Sequence, residues 1–247
     1  MTTHRYQIDD YLKRLRLPTI RAQLDTYVRE ANEQQISYES FLFHLLSVEV
    51  AERELKKKES VRKKAQFPIE KNITSFRFEE APFVPKRRFL EVADGHYIKE
   101  KRNVLFVGNS GTGKTHLSIA LGHLAIEQGY QVGYYTAARL SNELMEAQDE
   151  KRLLQIEKQW THADLVIIDE LGYIPYHPRA AELMFQFFST RYERGSMIIT
   201  SNREFSRWNE VFHDDQMTAA LLDRITHKAH LFPMNGDSYR FKETYSS

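Results

Sequence analysis

Apolar positions change their period once along this chain. Up to about residue 66 they recur at helical spacing. In "YLKRLRLP" Leu12, Leu15 and Leu17 fall near one face; Pro18 then interrupts, and suits the first position of a next helix. "TIRAQLDTYVREA" continues with Ile20, Leu24, Tyr27 and Val28. "SYESFLFHLLSVEVAERELKKKESVRKKAQ" predicts a longer helix capped by Ser37, whose apolar positions (Phe41, Leu42, Leu45, Leu46, Val48) give way after Val50 to Lys and Arg. This apolar face reads either as the core of a small bundle or as a docking face for a protein. "FPIEKNITSFRFEEAPFVPKRRFLEV" has three prolines and no sustained period, and is expected to be a linker packing on the next domain. From Asn103 short apolar runs alternate with amphipathic stretches. Strands are expected at "NVLFVG", "QVGYYTA", "DLVIIDE", "SMIITSN" and "HLFPM", with helices from Lys114 to Glu127, Ala138 to about Trp160, Arg179 to Arg194 and Met217 to Lys228. The alternation predicts an α/β fold with a five-stranded parallel sheet flanked by helices. The expected division is a helical N-terminal adaptor over 1–66, a linker over 67–102 and an α/β domain over 103–247.

Composition adds exclusions. The 247 residues suit one large domain or two smaller ones, and a hydrophobic content of 41% can build a core. There is no cysteine, so disulfides and cysteine-ligated zinc or iron–sulfur sites are excluded. The N-terminus lacks the apolar stretch of a secretory signal, and no run approaches about 18 uncharged apolar residues, so no membrane span and a cytoplasmic location are expected. His227 and His230 are three apart but have no third ligand beside them. The net charge of +1 hides an asymmetry. Residues 1–102 carry 21 Lys and Arg against 16 Asp and Glu, a balance of +5, and residues 103–247 carry 14 against 18, a balance of −4. The basic half suits a polyanionic partner. Within it Lys56, Lys57, Lys58, Arg62, Lys63 and Lys64 read equally as phosphate contacts of a DNA-binding surface or as a solvated helix end.

"GNSGTGKT", Gly108 to Thr115, fits G-x-x-x-x-G-K-[ST] after an apolar run and before a helix. Gly108, Gly111 and Gly113 allow the backbone to turn its N–H groups onto phosphates, and the helix that follows adds its positive end. Gly108, Asn109, Ser110, Gly111, Thr112, Gly113, Lys114, Thr115 and His116 form the expected ATP-binding set. Lys114 reaches the β- and γ-phosphates, and Thr115 ligates Mg²⁺ together with Asp169 of "LVIIDE". Glu170 is placed to polarise a water for attack on the γ-phosphate. Asn202, ending "MIITSN", reads equally as a ligand of that water or as a turn residue. Asp-Glu, with no sequence for an acceptor pocket, favours hydrolysis over transfer to a small acceptor. Tyr173 and Trp208 are expected to be packing residues, and Arg191 and Arg194 to be structural charges at a helix end.

In this order the motifs resemble those of AAA+ ATPases. "LRLPTIRAQL", "DELGYIP", "SNREFSRWNEVF" and "LLDRITHKAHL" make the chain similar over nearly its whole length to the IstB-like transposition helper ATPases of insertion sequences, relatives of the DnaC and DnaI helicase loaders. The resemblance implies an AAA+ domain that binds ATP and Mg²⁺, forms homo-oligomers with ATP at subunit interfaces, assembles on and remodels duplex DNA, and recruits or stimulates the transposase of the same element. It further implies that Arg224 acts in trans on a neighbour's γ-phosphate, against the alternative of an ion pair with Asp223, and that Arg240 of "DSYRFK" is a second phosphate sensor. Only about fifteen residues follow the fifth strand, too few for a full helical lid. A helicase loader and a metabolic P-loop enzyme remain the rival expectations.

Overall fold

The computed structural model describes residues 3–239, and the chain divides into two compact units at Ser60/Val61. Arg240 therefore lies outside the described residues. The first unit holds α1 (Thr3–Arg14), α2 (Pro18–Gln34) and most of α3 (Tyr38–Ala65). Pro18 stands at the start of α2, where its missing N–H costs nothing, and the Ser37 hydroxyl accepts the Ser40 N–H at 3.2 Å to cap α3. Ile20, Leu24 and Leu45 form the buried core, with Leu12, Leu17, Tyr27 and Phe41 packed against them. Leu42 and Leu46, on the same expected stripe, are exposed. Glu49 is buried and accepts from the Thr19 and Ile20 N–H groups at 2.9 and 3.1 Å. It thereby satisfies the first turn of α2, where the helix dipole favours an anion.

The second unit is a parallel sheet of β1 (Val104–Gly108), β2 (Val132–Thr136), β3 (Leu165–Leu171), β4 (Ser196–Ser201) and β5 (His230–Met234), in the order β2-β3-β4-β1-β5. Successive residues point to opposite faces; β1, β3 and β4 are buried on both, which is why their sequences are mostly apolar, while the edge strands β2 and β5 are partly exposed. Val104, Phe106, Leu165 and Ile167 enter one core layer, and Leu105, Val107, Val166 and Ile168 the other. The first layer is covered by α6 (Lys114–Glu127) and by the segment before β1. The second is covered by α7 (Ala137–Asp149), α8 (Leu153–His162), α9 (Pro178–Arg191), α10 (Asn209–Phe212) and α11 (Asp215–Thr226). No helix among the described residues is long and apolar enough to cross a membrane.

Three elements differ from expectation. The segment before β1 is a structural layer: it contains α4 (Lys86–Ala93) and α5 (His96–Lys99) and buries Phe78, Val84, Phe89, Val92, Tyr97 and Ile98. The helix expected from Ala138 to Trp160 is broken into α7 and α8, with Lys151 at φ +56° between them. Arg191 is structural, though for a different reason than helix-end charge. It is buried, and its guanidinium donates to the carbonyls of Trp160 (2.5 Å), Ala163 (2.7 Å) and Ser196 (2.8 Å), stapling the end of α8 to the sheet. Burial pulls its pKa down to about 10, so it stays charged at neutral pH.

Burial also holds His116, His123 and His230 below the ordinary histidine range. His123 packs on Phe67 at 4.6 Å between centroids, and its Nε2 lies 3.2 Å from a Glu70 oxygen without the alignment of a hydrogen bond. The unfolded chain therefore binds more protons than the native one just below the ordinary histidine pKa, and stability falls as pH falls there. The expected melting temperature is lower at about pH 5.5 than at about pH 7.5, and His123→Phe should flatten that difference. Melting independent of pH across this window would contradict the burial of these rings.

Candidate nucleotide site

The loop between β1 and α6 lies at the carboxyl end of the sheet, where ligands of open α/β folds gather. Gly111 and Gly113 have φ of +77° and +92°, the left-handed region that L side chains avoid. They are also crowded: a Cβ on Gly113 would come within 2.6 Å of the Phe76 ring, and one on Gly111 within 2.0 Å of the Ser238 hydroxyl. The loop is thus pressed between the 72–76 turn and the segment after β5, which also supplies a Tyr239 N–H to the Gly111 carbonyl at 2.9 Å. Lys114 is buried, and its ammonium donates to the carbonyls of Gly108 (2.8 Å) and Asn109 (2.5 Å).

Thr115 opens α6 and donates its hydroxyl to Asp169 Oδ1 at 3.0 Å. Asp169 is 2% exposed, whereas Glu170 beside it is exposed. A β-bulge produces this split. β3 and β4 are in register at Ile168↔Ile199 and again at Leu171↔Ser201, so Asp169 and Glu170 together oppose Thr200. The extra residue leaves Glu170 at φ +61° and turns its side chain out into the cleft. Asn202, just past β4, rims the same cleft, and its buried Oδ1 has no hydrogen-bond partner among the described residues. The cleft measures about 520 Å³, within the range of small-molecule sites.

The structure thus brings Ser110 to His116, Glu170 and Asn202 to one cleft, with Asp169 beneath it. His116 takes part from the side: its Nε2 faces the Asn72 carbonyl at 3.0 Å and the Ser75 hydroxyl at 3.2 Å. Arg224 is elsewhere, on α11, donating to the Ala220 carbonyl at 2.7 Å and lying 5.3 Å from the Phe185 ring centroid. Among the described residues it forms no ion pair with Asp223. The basic run lies on the last turns of α3; Lys56 pairs with Glu52 (3.0 Å) and Arg62 with Glu127 (2.9 Å). Trp208 is fully buried, as expected of a packing residue, but Tyr173 is 62% exposed at the rim of the cleft. Its flanking glycine and proline in "LGYIP" place it in a loop, which periodicity alone does not register.

The sequence does not mark Ser75, Phe76, Arg77, Asp237 and Tyr239, which also line the cleft, or the two hydroxyls on Asp169: Tyr134 at 2.8 Å and Thr200 at 2.5 Å. The residues also fit a magnesium ion. Thr115 and Asp169 offer only oxygen, and no cluster of three or more His, Cys, Asp or Glu forms a protein cage among the described residues. That is the donor set of an ion that takes one or two protein oxygens and completes its shell with phosphates and water.

The IstB-like ATP binding protein family matches residues 10–247. The chain belongs to this family. Its relatives include the ATP-binding proteins of insertion sequence IS5376 from Geobacillus stearothermophilus, 36% identical over 96% of this chain and 94% of that one, and of insertion sequence IS21 from Pseudomonas aeruginosa, 34% identical over 96% and 90%. The fold of this IstB-like chain is similar to AMPPCP-bound DnaA from Aquifex aeolicus (TM-score 0.58, 21% identity, 73% of this chain and 55% of that one) and to DnaI (TM-score 0.56, 14% identity, 66% and 90%). The chain spans about half of the DnaA chain. These likenesses show a shared fold.

Proposed function

We propose that this IstB-like chain is an ATP-dependent helper of DNA transposition, which assembles on and remodels duplex DNA and recruits or stimulates a partner transposase. The observation that carries the reading is the near full-length similarity to ATP-binding proteins of insertion sequences, joined to a cleft lined by the phosphate loop, Glu170 and Asn202, with the buried Asp169 hydrogen-bonded to Thr115. The loop N–H groups and Lys114 bind the phosphates. Thr115 and Asp169 hold Mg²⁺, which neutralises charge on the β- and γ-phosphates when bound. Glu170 accepts the proton of the attacking water, and the unpartnered Asn202 Oδ1 helps orient that water. Arg224 completes the site of a neighbouring subunit, and Arg240 is a second sensor of phosphate. Residues 1–66 serve as the adaptor, 67–102 pack on the ATPase domain of 103–247, and Lys56, Lys57, Lys58, Arg62, Lys63 and Lys64 contact DNA phosphates.

The test is ATP-dependent assembly on DNA, followed by sedimentation or sizing. Assembly on duplex DNA is expected with ATP and not without it, and Lys114→Ala should lose nucleotide affinity and assembly together. A preference for single strands, or a stable complex with a hexameric helicase, would replace this reading with a helicase loader.

A further inference from the structure

The bulge at Asp169 and Glu170 breaks the β3–β4 ladder where the chemistry is expected. A bulge leaves backbone groups without ladder partners, and an unpaired buried N–H is costly. Here a side chain fills the gap. The Thr200 hydroxyl accepts the Glu170 N–H at 2.9 Å and donates its own proton to Asp169 Oδ1 at 2.5 Å. One oxygen therefore links the backbone of Glu170 to the carboxylate of Asp169. From the opposite neighbour strand, β2, the buried Tyr134 donates its phenol to Asp169 Oδ2 at 2.8 Å. Burial, and then the Asp169 charge, push the Tyr134 phenol up, so it remains a donor. Oδ1 has a second donor, Thr115, at 3.0 Å.

We infer that Tyr134 and Thr200 are positioning residues of the nucleotide site. Tyr134 pins Oδ2 and so directs Oδ1 toward Thr115, while Thr200 ties that carboxylate to the left-handed backbone that aims Glu170 into the cleft. Packing accounts for the Tyr134 ring, which lies 5.7 Å from that of Phe67, but for neither hydroxyl. A phenol and a hydroxyl on strands whose inner faces are apolar carry a desolvation cost, which hydrogen bonds to a charged acceptor offset. Two consequences differ. Loss of the Tyr134 hydroxyl acts on Asp169 alone. Loss of the Thr200 hydroxyl acts on Asp169 and on Glu170, because it also frees the Glu170 N–H and with it the φ of +61°.

The inference rests on the reading that the cleft binds and hydrolyses ATP with magnesium, and its test separates the two. Wild type, Tyr134→Phe, Thr200→Val and Thr200→Ser are compared by the affinity of a fluorescent ATP analogue with Mg²⁺ and with EDTA, by kcat and KM at saturating Mg²⁺, and by melting temperature. Partners that orient a metal ligand are worth about 10–100-fold in metal affinity. Tyr134→Phe should lose about tenfold of the affinity gain that Mg²⁺ confers, with EDTA affinity unchanged. Thr200→Val should lose that gain and also at least about tenfold in kcat, and Thr200→Ser, which keeps the hydroxyl, should restore both. A purely structural role would lower the melting temperature and leave the Mg²⁺ gain intact. The inference is overturned if Tyr134→Phe keeps the wild-type gain, or if Thr200→Ser is as defective as Thr200→Val. If wild type itself shows no nucleotide binding, the ATPase reading falls with it. Should Thr200→Val fail to fold, Tyr134→Phe, which keeps the ring and loses only the hydroxyl, still decides.

Discussion

Glu170→Gln is expected to bind ATP as tightly as wild type and to hydrolyse it roughly 10²–10⁴-fold more slowly, the usual worth of a positioned general base. The amide keeps the size and reach of the side chain but cannot take a proton from water. Binding is spared because Glu170 contributes nothing to the phosphate loop: its side chain is exposed at the far wall of the cleft, while Lys114 and Thr115 sit on α6. The backbone also tolerates the change, since Gln accepts the φ of +61° no worse than Glu does. Nucleotide titration and phosphate release are the paired measurements, and DNA-bound assemblies should persist for longer in the variant. Full turnover by Glu170→Gln would remove Glu170 from the chemistry.

Arg224→Ala is expected to lower turnover by at least about 10³-fold, the range of an arginine that neutralises the transferring phosphoryl group. ATP affinity of the isolated subunit should not change. The reason is positional: in its own subunit Arg224 lies over Phe185 and bonds the Ala220 carbonyl, away from the lining of the cleft. Mixing Arg224→Ala with Lys114→Ala should restore activity. The first variant supplies an intact phosphate loop and the second an intact arginine, so mixed interfaces contain one complete site. If the mixture recovers nothing, Arg224 does not act across subunits.

The parts of the site that sequence reveals are those carried by contiguous residues. The phosphate loop is eight residues in a row, and Asp169 and Glu170 end one apolar run, so neither needs tertiary information. The hydroxyls of Tyr134 and Thr200 reach Asp169 from strands on either side of it, and only the sheet order brings them there. The bulge is equally silent, because Glu170 is neither glycine nor asparagine and nothing in "VIIDEL" marks a left-handed residue. The packing of the segment before β1 is legible but its helices are not, because they are short, eight and four residues, and lie in a stretch with no sustained apolar period. The break between α7 and α8 falls in "DEKR", where Glu150, Lys151 and Arg152 have good helix propensity; no glycine or proline announces it. The central strands β1, β3 and β4 were legible to within a residue or two because both of their faces are covered and their sequences are mostly apolar.

In the function we propose, each working site spans two subunits assembled on duplex DNA. Its most direct test is the ATPase rate per subunit, measured across a wide range of protein concentration with and without duplex DNA. The account predicts a rate that rises steeply with concentration and is shifted to lower concentration by duplex DNA. A rate per subunit that is constant at every dilution and unaffected by DNA would contradict it.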